Sequence, residues 1–103
     1  MRYYALEKLI NLHDGYRKTF KIDEHNLLLL QEGGERCLIE SRCPHRGHRL
    51  AEADISGTAI TCPLHGYRFD LRDGRALRTT EEPCRNLRIY DLVDEGREVG
   101  VLL

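Results

Sequence analysis

The sequence predicts an all-β domain, on three observations. Dipeptides that favour tight turns recur along the chain: Asp14-Gly15, Gly33-Gly34, Ser56-Gly57, Asp73-Gly74 and Glu95-Gly96. The runs between them are short and rich in β-branched, aromatic and aliphatic residues, the pattern of hairpins. One run, Leu27-Leu28-Leu29-Leu30, is continuously apolar yet too short to be a helix. Turn signals on both sides make it a strand buried on both faces.

Strands are expected near residues 3–6, 16–22, 27–31, 37–41, 58–62, 67–71, 87–92 and 98–102. In the second of these, Tyr16, Lys18, Phe20 and Ile22 alternate with Arg17, Thr19 and Lys21, a period of two with Lys18 as the one blemish. Leu6, Leu9 and Ile10 fit a single helical turn before Asp14-Gly15. The segments around 41–50 and 62–66 contain Pro and Gly and lack strand character, so they read as loops at strand ends.

Composition narrows the function. The 103 residues suit one domain with a modest core, and 16 Lys+Arg against 17 Asp+Glu give no field for a polyanion. No nucleic-acid partner is expected. The longest apolar run is the four leucines, so no membrane span is expected, and Met1-Arg2-Tyr3-Tyr4-Ala5 has no apolar signal-peptide core. A cytoplasmic location follows as the expectation. There cysteines stay reduced and a Cys/His pattern points to metal rather than disulfides.

That pattern is present. Cys43-Pro44-His45-Arg46-Gly47 and Cys62-Pro63-Leu64-His65-Gly66 each carry one thiol and one imidazole, spaced C-x-H and C-x-x-H. Two thiolates with two imidazoles form the donor set of the mixed-ligand [2Fe–2S] centre, in which His₂ replaces Cys₂ on one iron. Two thiolates formally balance the oxidised core, so an electron adds more easily than in a four-Cys site. Zinc takes the same donors, but its common modules keep the Cys pair and the His pair together, unlike the mixing here. A zinc-stabilised binding module is the remote alternative.

The stretches Cys43-Pro44-His45-Arg46-Gly47-His48-Arg49-Leu50 and Cys62-Pro63-Leu64-His65-Gly66-Tyr67-Arg68-Phe69-Asp70 resemble the two boxes of Rieske-type iron–sulfur proteins. In style they are nearest to the ferredoxins and N-terminal domains of bacterial ring-hydroxylating oxygenase systems. The resemblance implies the Rieske fold: antiparallel sheets in a sandwich or incomplete barrel, with a small cluster-binding lobe. On this reading residues 1–103 form a single domain, with 41–73 as the lobe and 1–40 and 74–103 as the base. Cys43 and Cys62 would hold one iron of a single [2Fe–2S] cluster; His45 and His65 would hold the other, at an exposed tip.

The implied function is one-electron transfer without bond chemistry of its own. The expected partners are a flavin-dependent NAD(P)H reductase and a terminal oxygenase or other redox enzyme. The alternative is a small Rieske-like subunit of a nitrite-reductase-type complex; such relatives often lack the ligands, and this chain has all four. High-potential relatives carry an extra Cys in each box, where this chain has His48 and Leu64. They also place hydroxyls near the sulfurs, where this chain has Tyr67 and Phe69. Fewer hydrogen bonds to sulfur imply a potential on the order of −150 mV, the low end of the class.

Other residues receive plainer readings. His48 lines the loop; His13 and His25 sit beside turns at the surface. Cys37 is a small buried hydrophobe in a strand. By resemblance, Pro83 shields the cluster, with Cys84 nearby. Arg42, Arg46, Arg49 and Arg68 crowd the boxes, as a solvated rim or a partner-steering one, with Glu52, Asp54, Glu81 and Glu82 offsetting their charge.

Overall fold

The computed structural model describes all of residues 1–103. The strands are β1 (Tyr3–Lys8), β2 (Arg17–Ile22), β3 (His25–Glu32), β4 (Glu35–Glu40), β5 (Asp54–Ser56), β6 (Ala59–Thr61), β7 (Arg68–Asp70), β8 (Ala76–Arg78), β9 (Ile89–Tyr90), β10 (Val93–Glu95) and β11 (Glu98–Leu102). Two single 3₁₀ turns, Leu9–Asn11 and Leu50–Glu52, interrupt them. The strands form three antiparallel sheets, ordered β1-β11-β10, β2-β3-β4-β9 and β5-β6-β7-β8. The all-β expectation holds.

Strand β3 organises the rest. Leu27 to Leu30 are each no more than 1% exposed. Side chains alternate across a strand, so Leu28 and Leu30 enter one core and Leu27 and Leu29 another. The first core also holds Ile39, Leu50, Ile60, Tyr67, Phe69, Cys43 and Cys62, and lies under the two Cys/His boxes. The second joins Leu38, Val99 and Val101 to the sheet of β1 and β11. Burying each leucine contributes about 1.5–3 kcal/mol.

The alternation in β2 works as read: Tyr16, Phe20 and Ile22 pack on the second core. Lys18, the blemish, is exposed and sets its ammonium 5.3 Å from the Phe20 ring centre. On the opposite face Arg17 donates to the Ala51 and Ala53 carbonyls at 3.0 and 2.6 Å, tying β2 to the chain entering the third sheet. The helical turn expected around Leu9 is the 3₁₀ turn.

The structure corrects two expectations. Strands β5, β8 and β10 were not anticipated, because three-residue segments such as Asp54-Ile55-Ser56 are too short to display alternation. The expected strand at 87–92 is broken: only Ile89 and Tyr90 pair with β4, opposite Ile39 and Leu38. The third sheet continues past residue 73, where β8 pairs Arg78 with Arg68 and Ala76 with Phe69 of β7.

Asp70 secures the turn between β7 and β8. It is 2% exposed, and its carboxylate accepts the Arg72 N–H (2.8 Å), Nε–H (3.1 Å) and Nη2–H (2.8 Å). The Gly74 N–H closes the turn on the Asp70 carbonyl at 2.7 Å. The Arg72 hydrogen bonds hold the Asp70 carboxyl down at about 2.

Two predictions follow from these contacts. Leu28→Ala and Leu29→Ala should each lower stability by about 2–5 kcal/mol in chemical denaturation. Only Leu28→Ala should also speed loss of bound iron to a chelator, since only Leu28 shares a core with Cys43 and Cys62; equal chelation rates would contradict the two-core division. The depressed Asp70 contributes stability that is full above the unfolded carboxyl pKa of about 4 and lost as pH falls through about 2. Asp70→Asn should therefore flatten the acid limb of melting temperature against pH, and an unchanged limb would remove Asp70 from the account.

Candidate metal centre

The two boxes fold into the same loop. In the first, the Cys43 N–H donates to the His48 carbonyl and the Gly47 N–H to the Cys43 carbonyl, both at 2.8 Å. In the second, the Cys62 N–H donates to the Tyr67 carbonyl at 2.7 Å and the Gly66 N–H to the Cys62 carbonyl at 3.0 Å. Arg42 and Arg49 pair across the base of the first loop, and Thr61 and Arg68 across the second. Gly47 and Gly66 have φ of 74° and 73°, a left-handed conformation that glycine adopts without the Cβ penalty. Thus C-P-x-x-G specifies one loop, used twice.

Each loop sends its thiol inward and its imidazole toward the other loop. Cys43 and Cys62 are 3% and 2% exposed and belong to the first core. Burial, foremost, and the adjacent Cys62 thiol push the Cys43 thiol up to about 11, against the opposing pull of the His45 and Arg46 backbone N–H groups. The His45 and His65 rings meet edge to face, with centroids 5.2 Å apart. The expected exposed tip is exposed on one side only: the His65 side chain is 31% exposed, whereas that of His45 is 3%.

Tyr67 explains the difference. Fully buried, it stacks on His45 with centroids 4.1 Å apart and planes 11° from parallel. Its hydroxyl donates to the Glu82 carbonyl (2.6 Å) and accepts the Glu82 and Glu81 N–H groups (2.8 and 3.2 Å). The hydroxyl is therefore committed to this loop and not to a sulfur, as the departure at this position implied. Thr80 adds a bond from its hydroxyl to the His65 carbonyl at 2.6 Å.

The loop that shelters the site is thus 80–82. Pro83 follows it directly and is exposed, as are Glu81 and Glu82. Glu81 and Glu82 face the imidazoles, a placement the sequence did not reveal, because nothing in their spacing from the boxes marks them. Cys37 and Cys84 are half-buried, pack against the first core and are free thiols. His48 contributes its carbonyl to the first loop. Arg42 and Arg68 brace their own loops, donating to the Gly47 carbonyl and the Thr61 hydroxyl, each at 3.2 Å.

The donors suit an iron–sulfur core. The buried Cys43 thiol resists ionisation in its apolar setting, and a polycationic metal core reverses that preference. Two imidazoles at contact distance complete a mixed S₂N₂ set. The family model for the Rieske [2Fe-2S] domain matches residues 2–91, and the chain belongs to that family.

The relatives sharpen the assignment. The chain is 32% identical over 80 residues (78% of it, 75% of the relative) to the ferredoxin component of a naphthalene 1,2-dioxygenase system from Pseudomonas aeruginosa. It is 37% identical over 75 residues (73% and 70%) to the ferredoxin component of a 2,4-dinitrotoluene dioxygenase system from a Burkholderia strain. The solved ferredoxin of carbazole 1,9a-dioxygenase from Nocardioides aromaticivorans superposes with a TM-score of 0.81 at 27% identity, covering 98% of this chain and 97% of that one. The chain is a ferredoxin-type electron carrier with one [2Fe–2S] cluster, rather than a catalyst.

Tyr67→Phe tests how the sheltering loop is held. Losing one buried hydroxyl leaves two N–H groups and a carbonyl without their partner, at a cost of about 1–3 kcal/mol. Amide hydrogen exchange at Glu81 and Glu82 should accelerate, and wild-type exchange rates there would show that the loop is held by other contacts.

Proposed function

We propose that Cys43 and Cys62 bind one iron of the cluster and that His45 and His65 bind the other through Nδ1. The supporting observation is the equivalence of the two loops, each of which delivers one buried thiol and one imidazole to the same place. Both Nε2 atoms lie toward Glu81, at 3.4 and 3.6 Å, which leaves Nδ1 for iron. The cluster supplies reversible uptake of a single electron. The chain's own residues exclude water from the thiols, fix the imidazole planes and leave His65 as the accessible edge for a partner.

The physiological reading is a cytoplasmic shuttle from a flavin-dependent NAD(P)H reductase to a terminal oxygenase. Support comes from relatives that are components of dioxygenase systems. No helix is long and apolar enough to cross a membrane. The potential is proposed to lie at the low end of the class, since the Tyr67 hydroxyl is bonded elsewhere and Phe69 has none.

Iron and zinc analysis with EPR of the dithionite-reduced protein tests this reading. Two irons per chain and a rhombic signal, with average g below that of four-Cys [2Fe–2S] proteins, are expected. Cys43→Ala, His45→Ala, Cys62→Ala and His65→Ala should each abolish that signal, while His48→Ala retains it. Zinc without iron in an anaerobically prepared sample would replace the reading with a structural zinc domain.

A further inference from the structure

The two imidazoles are capped by acids of the same chain. Glu81 Oε1 lies 3.4 Å from His45 Nε2 and 3.6 Å from His65 Nε2, and Glu82 Oε1 lies 3.5 Å from His45 Nε2. These acids are not on a loose loop. The Tyr67 hydroxyl holds both of their backbone amides, and Thr80 is bonded to the His65 carbonyl. The nearest opposing charge is Arg46, whose Nε lies 4.0 Å from the same Glu81 oxygen and whose Nε–H donates to His45 Nε2 at 3.3 Å. The Glu81 and Glu82 carboxylate oxygens stand at these distances without hydrogen-bonding the imidazoles, so they act on the rings through their charge.

We propose that Glu81, assisted by Glu82, holds the reduction potential down by placing negative charge against the outer nitrogens of both imidazoles. The inference rests on His45 and His65 binding the cluster. A carboxylate beside a metal-bound imidazole opposes the arrival of an electron through its negative charge. That charge favours the oxidised cluster, and two carboxylates outnumber the single Arg46. Glu81 touches both rings and Glu82 only one, so Glu81 has the larger effect. The bland alternative is that two partly exposed acids are simply solvated, in which case they would act no differently from any distant surface acid.

Spectroelectrochemical titration of the purified, cluster-loaded protein at neutral pH and fixed ionic strength separates the two. Glu95→Gln, an exposed acid at the end of β10 in the sheet remote from the boxes, serves as the charge control. Glu81→Gln should raise the equilibrium constant for one-electron reduction roughly tenfold, equivalent to about 59 mV. Glu82→Gln should move it in the same direction by less, and Glu95→Gln should leave it near the wild-type value. A Glu81→Gln potential no higher than that of Glu95→Gln overturns the proposal. If Glu81→Gln cannot retain iron, Glu82→Gln against Glu95→Gln decides in the same way. Failure of the ligand assignment would look different: the wild-type protein itself would lack two irons and the rhombic signal.

Discussion

The burial of β3 on both faces is the constraint on which the structure depends. A strand covered on one side only would leave either the metal-binding boxes or the β1–β11 sheet without a floor. Because Leu28 and Leu30 face one way and Leu27 and Leu29 the other, a single strand supports two cores. A one-residue slip would exchange the two sets, so the register with β2 and β4 is firmly set. The Cys43 and Cys62 thiols rest on the Leu28 and Leu30 side, which makes the candidate site an extension of a core rather than an appendage to it.

On that floor, two copies of one loop solve a geometric problem. The proposed ligand set pairs like donors on each iron, yet the chain delivers one of each kind per loop. Repeating the same Cys-to-Gly hydrogen-bond pattern in both boxes aligns like with like across the gap between them. The Gly47 and Gly66 conformations make the sharp return possible, and strand-like pairs, Arg42 with Arg49 and Thr61 with Arg68, close the base of each loop. Arg17 then joins the base to the chain between the boxes through two carbonyls.

The electrostatics are layered in the same order. Inside, the thiols sit in apolar surroundings that favour the metal-bound state over the free thiolate. Above them lie two imidazoles, one sealed by Tyr67 and one open to solvent. Outermost are Glu81, Glu82 and Arg46, which meet over the histidines. The rim is therefore neither the simple basic collar suggested by the arginines nor a neutral surface. Two of those arginines are spent on loop carbonyl and hydroxyl groups, and a third is balanced by acids.

Much of this was legible in the sequence because it depends on local chemistry. Four consecutive leucines between turns can bury themselves only in a strand covered on both sides. A C-P-x-x-G repeat with interleaved histidines carries both the loop shape and the donor set. What the sequence did not carry are features set by long-range packing. The three-residue strands β5, β8 and β10 are defined by their neighbours rather than by alternation. The placement of Glu81 and Glu82 over the imidazoles depends on a tyrosine fourteen and fifteen residues earlier reaching their backbone amides. Fold class and the Cys/His pattern could be read directly, since side-chain periodicity and residue type are local. Which imidazole is sealed and which acids face it depend instead on contacts between segments distant along the chain.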